Sequence, residues 1–298
     1  MIFFTATYSD HLWRIKCDDD RVIDEYRGDT ATIIIDRRCR LNIRPKLRKR
    51  NFFRELASNR LVVDIYTPSN GAYRRRGNVK GIRICAFDCV PQYAVNLAAR
   101  TMRNMLQYVH RSIIQQMAIL KVEIAIIGRN QKTTDIPAHR HLKGSKTEDG
   151  RDYDSGTRGL GGTTSNPVTS VGEENITMMD DDHYRHESIL VHELAHAVMN
   201  LGLLGRPERR TIQSAYKNAV NNQLHDPSSY LMSNADEYWA EGSQAWFHAT
   251  VRTDVTAGLT RRELISLHDP ELAAALRSVW GEGSWRFMDT APREFSKI

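Results

Sequence analysis

His192-Glu193-Leu194-Ala195-His196 reads H-E-x-x-H, and these five residues decide how the rest of the chain is read. Residues four apart share one face of a helix, about 6 Å along its axis. Two imidazoles so placed can close on one Zn²⁺, at Zn–N distances of about 2.0–2.1 Å. Glu193 then stands beside the metal, where a carboxylate can take a proton from water. The flanks suit a deeply packed helix: Ile189, Leu190, Val191, Leu194, Ala195, Val198 and Leu201 are apolar, and Gly202 supplies a C-terminal stop. At this chain's His and Glu content, chance supplies about 0.02 such matches, which favours a metal site over a buried helix with merely hydrogen-bonded histidines.

A zinc with catalytic work needs three protein ligands and an open position. The extension H-E-x-x-H-x-x-G-x-x-H fails, because Met199 and Gly202 stand at its glycine and third histidine. The search therefore moves to a downstream carboxylate. Asn234-Ala235-Asp236-Glu237-Tyr238-Trp239-Ala240-Glu241 lies among apolar Leu231, Tyr238, Trp239, Ala245, Trp246 and Phe247, the setting of a second buried helix. Glu237 and Glu241 share one face of it. Two inward carboxylates are costly unless a cation or hydrogen bonds compensate them. Zinc and its histidines do so if Glu237 is the third ligand and Glu241 accepts a hydrogen bond from a ligand imidazole N–H. The shared face alone lets either reach the metal, and the competing reading is a solvated acidic stripe.

H-E-x-x-H followed some forty residues later by E-x-x-A-E resembles the glutamate-zincin metallopeptidases, and within them the family of the anthrax lethal factor catalytic domain. The resemblance runs over residues 184–247 and more loosely from 81 to 298. It implies an α+β zincin-like fold, with an active-site helix carrying H-E-x-x-H, a small mixed sheet and a mostly helical C-terminal part. It also assigns Glu237 as zinc ligand and Tyr230, seven residues earlier, as oxyanion stabiliser. Independently, a phenol near the metal can donate to developing negative charge; the competing reading is a half-buried tyrosine with a hydrated hydroxyl.

The 298 residues suffice for one large or two modest domains, and 41% hydrophobic with 26% charged residues is the balance of a globular protein. No apolar run approaches the roughly 20 residues of a membrane span, and Met1-Ile2-Phe3-Phe4 is too short for a signal-peptide core. The expectation is a cytoplasmic protein, one exported by a non-standard route, or a fragment. The cysteines Cys17, Cys39, Cys85 and Cys89 argue against a disulfide scaffold, and Cys85 and Cys89 read as buried thiols. Residues 1–120 carry 22 Lys+Arg against 11 Asp+Glu, a balance of +11. Residues 121–298 carry 20 against 25, a balance of −5. The densest basic stretch, residues 37–60, has Phe52 and Phe53 next to its cluster Arg44-Pro45-Lys46-Leu47-Arg48-Lys49-Arg50. Such a cluster can bind nucleic acid or an acidic surface, but a solvated basic face is the simpler reading.

Residues 1–80 read as a basic segment of short strands, including 32–35 and 61–66, with Asn70-Gly71 as a turn. Residues 81–298 read as the zincin-like domain. Within it 81–87 and 122–127 are strands, and 91–120 is helical, with Ala94, Leu97, Ala98, Met102, Met105 and Val109 on one stripe. Residues 142–172 hold 7 glycines in 31 positions. They lack the Walker lysine and read as a long loop across the cleft. Residues 172–179 are the expected strand bordering it, along which a substrate pairs through its backbone. Asp180, Asp181 and Asp182 read as a solvated turn, and His183, His186 and His225 as surface or supporting residues.

The sequence thus points to a zinc-dependent endopeptidase acting on protein or peptide. One Zn²⁺ per chain is expected on His192, His196 and Glu237, with Glu193 as general base, Tyr230 on the oxyanion and Glu241 behind a ligand. The alternatives are an inactive zinc-binding relative, or a binder of nucleic acid or acidic surfaces that uses the N-terminal segment.

Overall fold

The computed structural model describes residues 73–147 and 150–295, together with seven strands before residue 67. Residues divide into two compact units, Met1–Gly71 and Ala72–Ile298. In the first, β1 (Ile2–Thr7), β4 (Thr30–Ile35), β5 (Arg40–Pro45) and β6 (Phe53–Glu55) form an antiparallel sheet in the order β1-β4-β5-β6. A second antiparallel sheet has the order β3-β2-β7, from β2 (Leu12–Lys16), β3 (Val22–Arg27) and β7 (Val62–Tyr66). The short strands expected at 32–35 and 61–66 are therefore present as β4 and β7. The Asn70-Gly71 turn, Cys17, Cys39 and most of the basic stretch 37–60 lie outside the described residues.

The second unit is α+β. Its five-stranded mixed sheet runs β11-β12-β10-β9-β8. The central strands β9 (Ile82–Phe87), β10 (Glu123–Ile127) and β12 (Val168–Gly172) are parallel, and β8 (Tyr73–Val79) and β11 (Gly159–Leu160) flank them antiparallel. Every residue of β10 is buried: Ile124 to Ile127 form the apolar run that a parallel interior demands, and Glu123 at the start pairs with Arg83 at 3.1 Å. Because β8 forms a hairpin with β9, the unit begins before the boundary expected at residue 81.

Two helices, α1 (Gln92–Met105) and α2 (Arg111–Ile119), make the crossover from β9 to β10. The apolar stripe through Ala94, Leu97, Ala98, Met102 and Met105 is buried, as the 3.6-residue period predicts. The single helical pattern expected over 91–120 is broken after Met105, because His110 starts α2 by accepting from the Ser112 N–H through Nδ1 at 3.3 Å.

The strand expected at 172–179 is displaced. Pairing with β10 ends at Gly172, and α3 (Glu173–Ile176) follows as a single helical turn. Then come α4 (Ile189–Ala197), a π turn over Val198–Gly202, α5 (Pro207–Asn221), α6 (Ala235–Trp246), α7 (Arg262–His268) and α8 (Pro270–Trp280). The main core lies between one face of the sheet and these helices. A smaller cluster of Ala125, Ile127 and Ile136 covers the opposite face. Cys85 is buried as expected, but Cys89 is exposed, since it lies in the turn after β9; both are free thiols. Among the described residues no helix is long and apolar enough to cross a membrane.

Candidate active site

Each of the two helices that carry the site is fixed at its N-terminus. The first N–H of α4 has no cap from its own Ser188; instead Ile189 N donates to Asn175 Oδ1 at 2.8 Å. Asn175 is buried, and its Nδ2 reaches Asp182 Oδ2, Tyr184 O and Glu187 O at 2.8, 3.1 and 2.9 Å. One amide thus welds α3, the acidic turn and the start of the H-E-x-x-H helix. At α6 the cap is local: Asn234 Oδ1 accepts from Asp236 N and Glu237 N, both at 2.9 Å. On its other face, Trp239 stacks on Trp280 with ring centroids 5.5 Å apart, and Tyr238 OH donates to Asp269 Oδ2 at 2.6 Å.

Four-residue spacing on α4 brings His192 Nε2 and His196 Nε2 to 3.0 Å. From α6, Glu237 Oε2 lies 3.1 Å from His192 Nε2 and 3.4 Å from His196 Nε2. These three side chains are the one set among the described residues whose donor atoms converge as metal ligands do. Neither imidazole contact to Glu237 has hydrogen-bond geometry, so Glu237 Oε2 is buried without a partner. A tetrahedral centre with bonds of about 2.0–2.1 Å separates its ligand atoms by about 3.3–3.4 Å. The observed triangle is close to that size, and an orphaned carboxylate oxygen is what a missing cation would leave. The residues fit Zn²⁺.

Electrostatics agree with this chemistry. Burial pushes the Glu237 carboxyl up, but the two imidazoles outweigh it and hold the group well below the usual carboxylate range. Burial pulls the His192 imidazole down, and Glu237 and Glu241 outweigh that in turn. Carboxylates and imidazoles here attract charge of opposite sign, and a divalent cation satisfies the same demand. Glu241 Oε1 is 3.3 Å from His192 Nδ1, on the ring edge away from Glu237. Its carboxyl is pushed up by burial, and Oε2 has no partner. Glu193 is buried and raised above the ordinary carboxylate range by desolvation, against the pull of His192 and His196.

These groups line a cleft of about 560 Å³, which Tyr230 also lines. Tyr230 is 38% exposed and stacks near His192, with centroids 6.4 Å apart. Burial first, and then the Glu237 charge, keep its phenol protonated far above neutral pH. All six residues singled out from the sequence are therefore together. His183, His186 and His225 are not: none lines the cleft, and His225 is buried with Nε2 2.8 Å from Asp269 Oδ2. The acidic turn is not simply solvated, since Asp182 is buried on Asn175, while Asp180 pairs with Arg293 and Asp181 with Arg129.

The glycine-rich loop supplies the cleft border that the sequence placed at 172–179. Its Gly159–Leu160 forms edge strand β11, and Gly159 and Gly161 press directly on α4. A Cβ at Gly159 would stand 2.5 Å from Glu193 Oε1, and one at Gly161 2.7 Å from His196 Cβ. Arg158 anchors the strand, with Nε 2.6 Å from Glu174 Oε1 and Nη2 2.6 Å from Glu174 Oε2. The loop also brings Thr147 and Arg151 to the cleft. Sequence reasoning missed Gln244, whose Oε1 lies 3.4 Å from His192 Nδ1. It falls seven residues after Glu237 on the same helical stripe, and that spacing was the available signal. Asn175 gave none, because its partners are brought together only by the fold.

A family model described as "Anthrax toxin lethal factor, N- and C-terminal domain" matches residues 89–256, more than half of the chain, and that span includes His192, Glu193, His196, Tyr230, Glu237 and Glu241. No curated protein matches the sequence. Among solved structures, the Pro-Pro endopeptidase PPEP-2 from Paenibacillus alvei is similar at 17% identity and a TM-score of 0.43, over 65% of this chain and 96% of that one.

Proposed function

The chain belongs to the anthrax toxin lethal factor domain family of zincin-like metallopeptidases, and from that premise we propose that it is a zinc-dependent endopeptidase. We assign His192, His196 and Glu237 as the ligands of one Zn²⁺ per chain, Glu193 as general base and Tyr230 as oxyanion donor. Glu241 supports His192 from behind. The observation that carries this reading is the convergence of three ligand atoms, one of them a buried carboxylate oxygen without a partner, beside a second buried carboxylate in a cleft. Residues 1–71 are proposed to be a separate basic unit, with the peptidase domain following it.

Zinc, when bound, supplies a Lewis acid that polarises the scissile carbonyl and acidifies water. The remaining work falls to the protein. An extended peptide pairs with the backbone of β11, an edge strand whose outer side faces the cleft. Glu193 takes the proton of the attacking water and passes it to the leaving amine. Its desolvation suits this role, because a raised carboxyl binds that proton more readily at neutral pH. Tyr230 keeps its proton and donates a hydrogen bond to the oxyanion.

The test is metal analysis of the purified protein together with cleavage profiling on a proteome-derived peptide library. The expected result is about one zinc per chain and a defined set of cut sites. Glu193→Gln should keep the zinc and lose about two to four orders of magnitude in turnover. Tyr230→Phe should keep it and lose about 10²–10³. Unchanged cleavage in Glu193→Gln excludes that residue as the base.

A further inference from the structure

Gln244 sits behind the metal-binding edge of His192, in a place no cleft contact explains. Its amide is completely buried, and its Nε2 donates to Ser188 O at 3.0 Å and to Glu187 Oε2 at 3.3 Å. The other oxygen of Glu187 receives Arg252 Nη1 at 3.0 Å, and Arg252 is in turn clamped by Asp254. Both amide hydrogens of Gln244 are therefore committed to acceptors. Turning the amide over would aim Oε1 at a carbonyl and at an arginine-paired carboxylate, and both contacts would be repulsive. The orientation leaves Oε1 facing His192 Nδ1 at 3.4 Å. An amide oxygen can only accept, so the proton of a neutral His192 must sit on Nδ1. That leaves Nε2, the atom beside His196 and Glu237, with a free lone pair.

On the reading of His192 as a metal ligand, we propose that Gln244 is a positioning residue that selects the Nδ1–H tautomer of His192 and so prepares Nε2 for the metal. Glu241 Oε1, at 3.3 Å, also faces Nδ1. Both groups accept at the same ring edge, and the amide is held in that role by the two acceptors that fix its own nitrogen. Gln244 therefore acts with Glu241 to keep the proton on Nδ1, and the Arg252–Glu187 pair sets the orientation of Gln244. Without the amide, one of the two acceptors on Nδ1 is gone and the ring places its proton on Nε2 more often, toward Glu237, where zinc must displace it.

The experiment uses the full chain, stripped of metal, with ¹⁵N-labelled histidine at a pH high enough to leave the His192 ring neutral, and zinc affinity is measured by chelator competition. The wild type should show a protonated Nδ1 and a bare Nε2. Gln244→Met, of similar length but without the acceptor, should move the proton toward Nε2 and weaken zinc by about 10–100-fold. Gln244→Glu is isosteric: with a proton on the oxygen that faces Ser188 O and Glu187 it keeps a donor there and an acceptor on Nδ1, so it should restore the Nδ1–H pattern and most of the affinity. An unchanged tautomer and affinity in Gln244→Met overturns the proposal, as does a Glu variant no better than Met in both measurements. Should Gln244→Met fail to fold, Gln244→Glu decides alone: a proton on Nε2 there is fatal to the proposal. Loss of the ligand reading itself looks different, because His192→Ala would then bind zinc as tightly as wild type.

Discussion

Trp239 Nε1 donates to the backbone carbonyl of Ala195 at 2.9 Å, tying the helix of Glu237 to the helix of His192 and His196. The indole is fully buried and stacked on Trp280, so this bond helps fix the spacing of the two helices that carry the proposed ligands. Trp239→Phe keeps a ring in the core but removes the donor and part of the volume. It should cost about 1–3 kcal/mol of stability and measurably weaken zinc. Urea denaturation paired with zinc competition checks this; a destabilised variant with unchanged affinity would mean that α4 and α6 are aligned by other contacts.

Glu237 and Glu241 address opposite edges of the same imidazole, with Glu237 at Nε2 and Glu241 at Nδ1. Their substitution should therefore differ in kind. Glu237→Ala and His196→Ala are expected to abolish tight zinc binding, and Glu241→Ala to weaken it by about 10–100-fold. Zinc content after dialysis, followed by competition titration, separates the two. Zinc retained in Glu237→Ala but lost in Glu241→Ala would reverse the assignment, and with it the support for Tyr230.

Gly159 is needed for closeness rather than for backbone freedom. A methyl group there would meet Glu193 Oε1 at 2.5 Å and Ile189 Cγ2 at 2.6 Å, so β11 or α4 must shift. Gly159→Ala should cost about 1–3 kcal/mol, and peptide turnover should fall further than zinc affinity, because the displaced group is the proposed base. Equal turnover in wild type and variant would show that the edge strand moves aside without penalty.

His139 is buried, with Nε2 3.1 Å from Ser170 Oγ on β12. Burial, and secondarily His141, push its imidazole down to about 4 from an ordinary 6.5. The fold therefore favours the neutral ring. Its contribution is full above about pH 6.5 and is lost as pH falls toward 4, where the unfolded chain takes up a proton that the folded chain resists. At about 1.4 kcal/mol per pH unit over the roughly 2.5 pH units between 6.5 and about 4, the full loss is about 3.5 kcal/mol. Chelator-treated wild type should lose more stability between pH 7.5 and 5 than His139→Gln does. Parallel losses in the two proteins would place the acid sensitivity elsewhere.

The sequence by itself determined the helices that matter and which side chains each of them brings to the cleft. H-E-x-x-H and E-x-x-A-E are local patterns: four-residue spacing puts each pair on one face whatever the surroundings, and the apolar flanks require burial. The same short-range logic reached the buried strand β10 and the stripe of α1. Tertiary structure alone decided what depends on separation in the chain. The end of β12 and the start of α3 follow from where pairing with β10 stops, so the strand expected at 172–179 moved. The cleft border came instead from the glycine loop, because Gly159 and Gly161 are set by contact with Glu193 and His196, some thirty residues away. Asn175, Glu187 and Gln244 belong to the site for the same reason. Each is an ordinary polar residue in sequence, and each acquires its role from partners that only packing brings within hydrogen-bond reach.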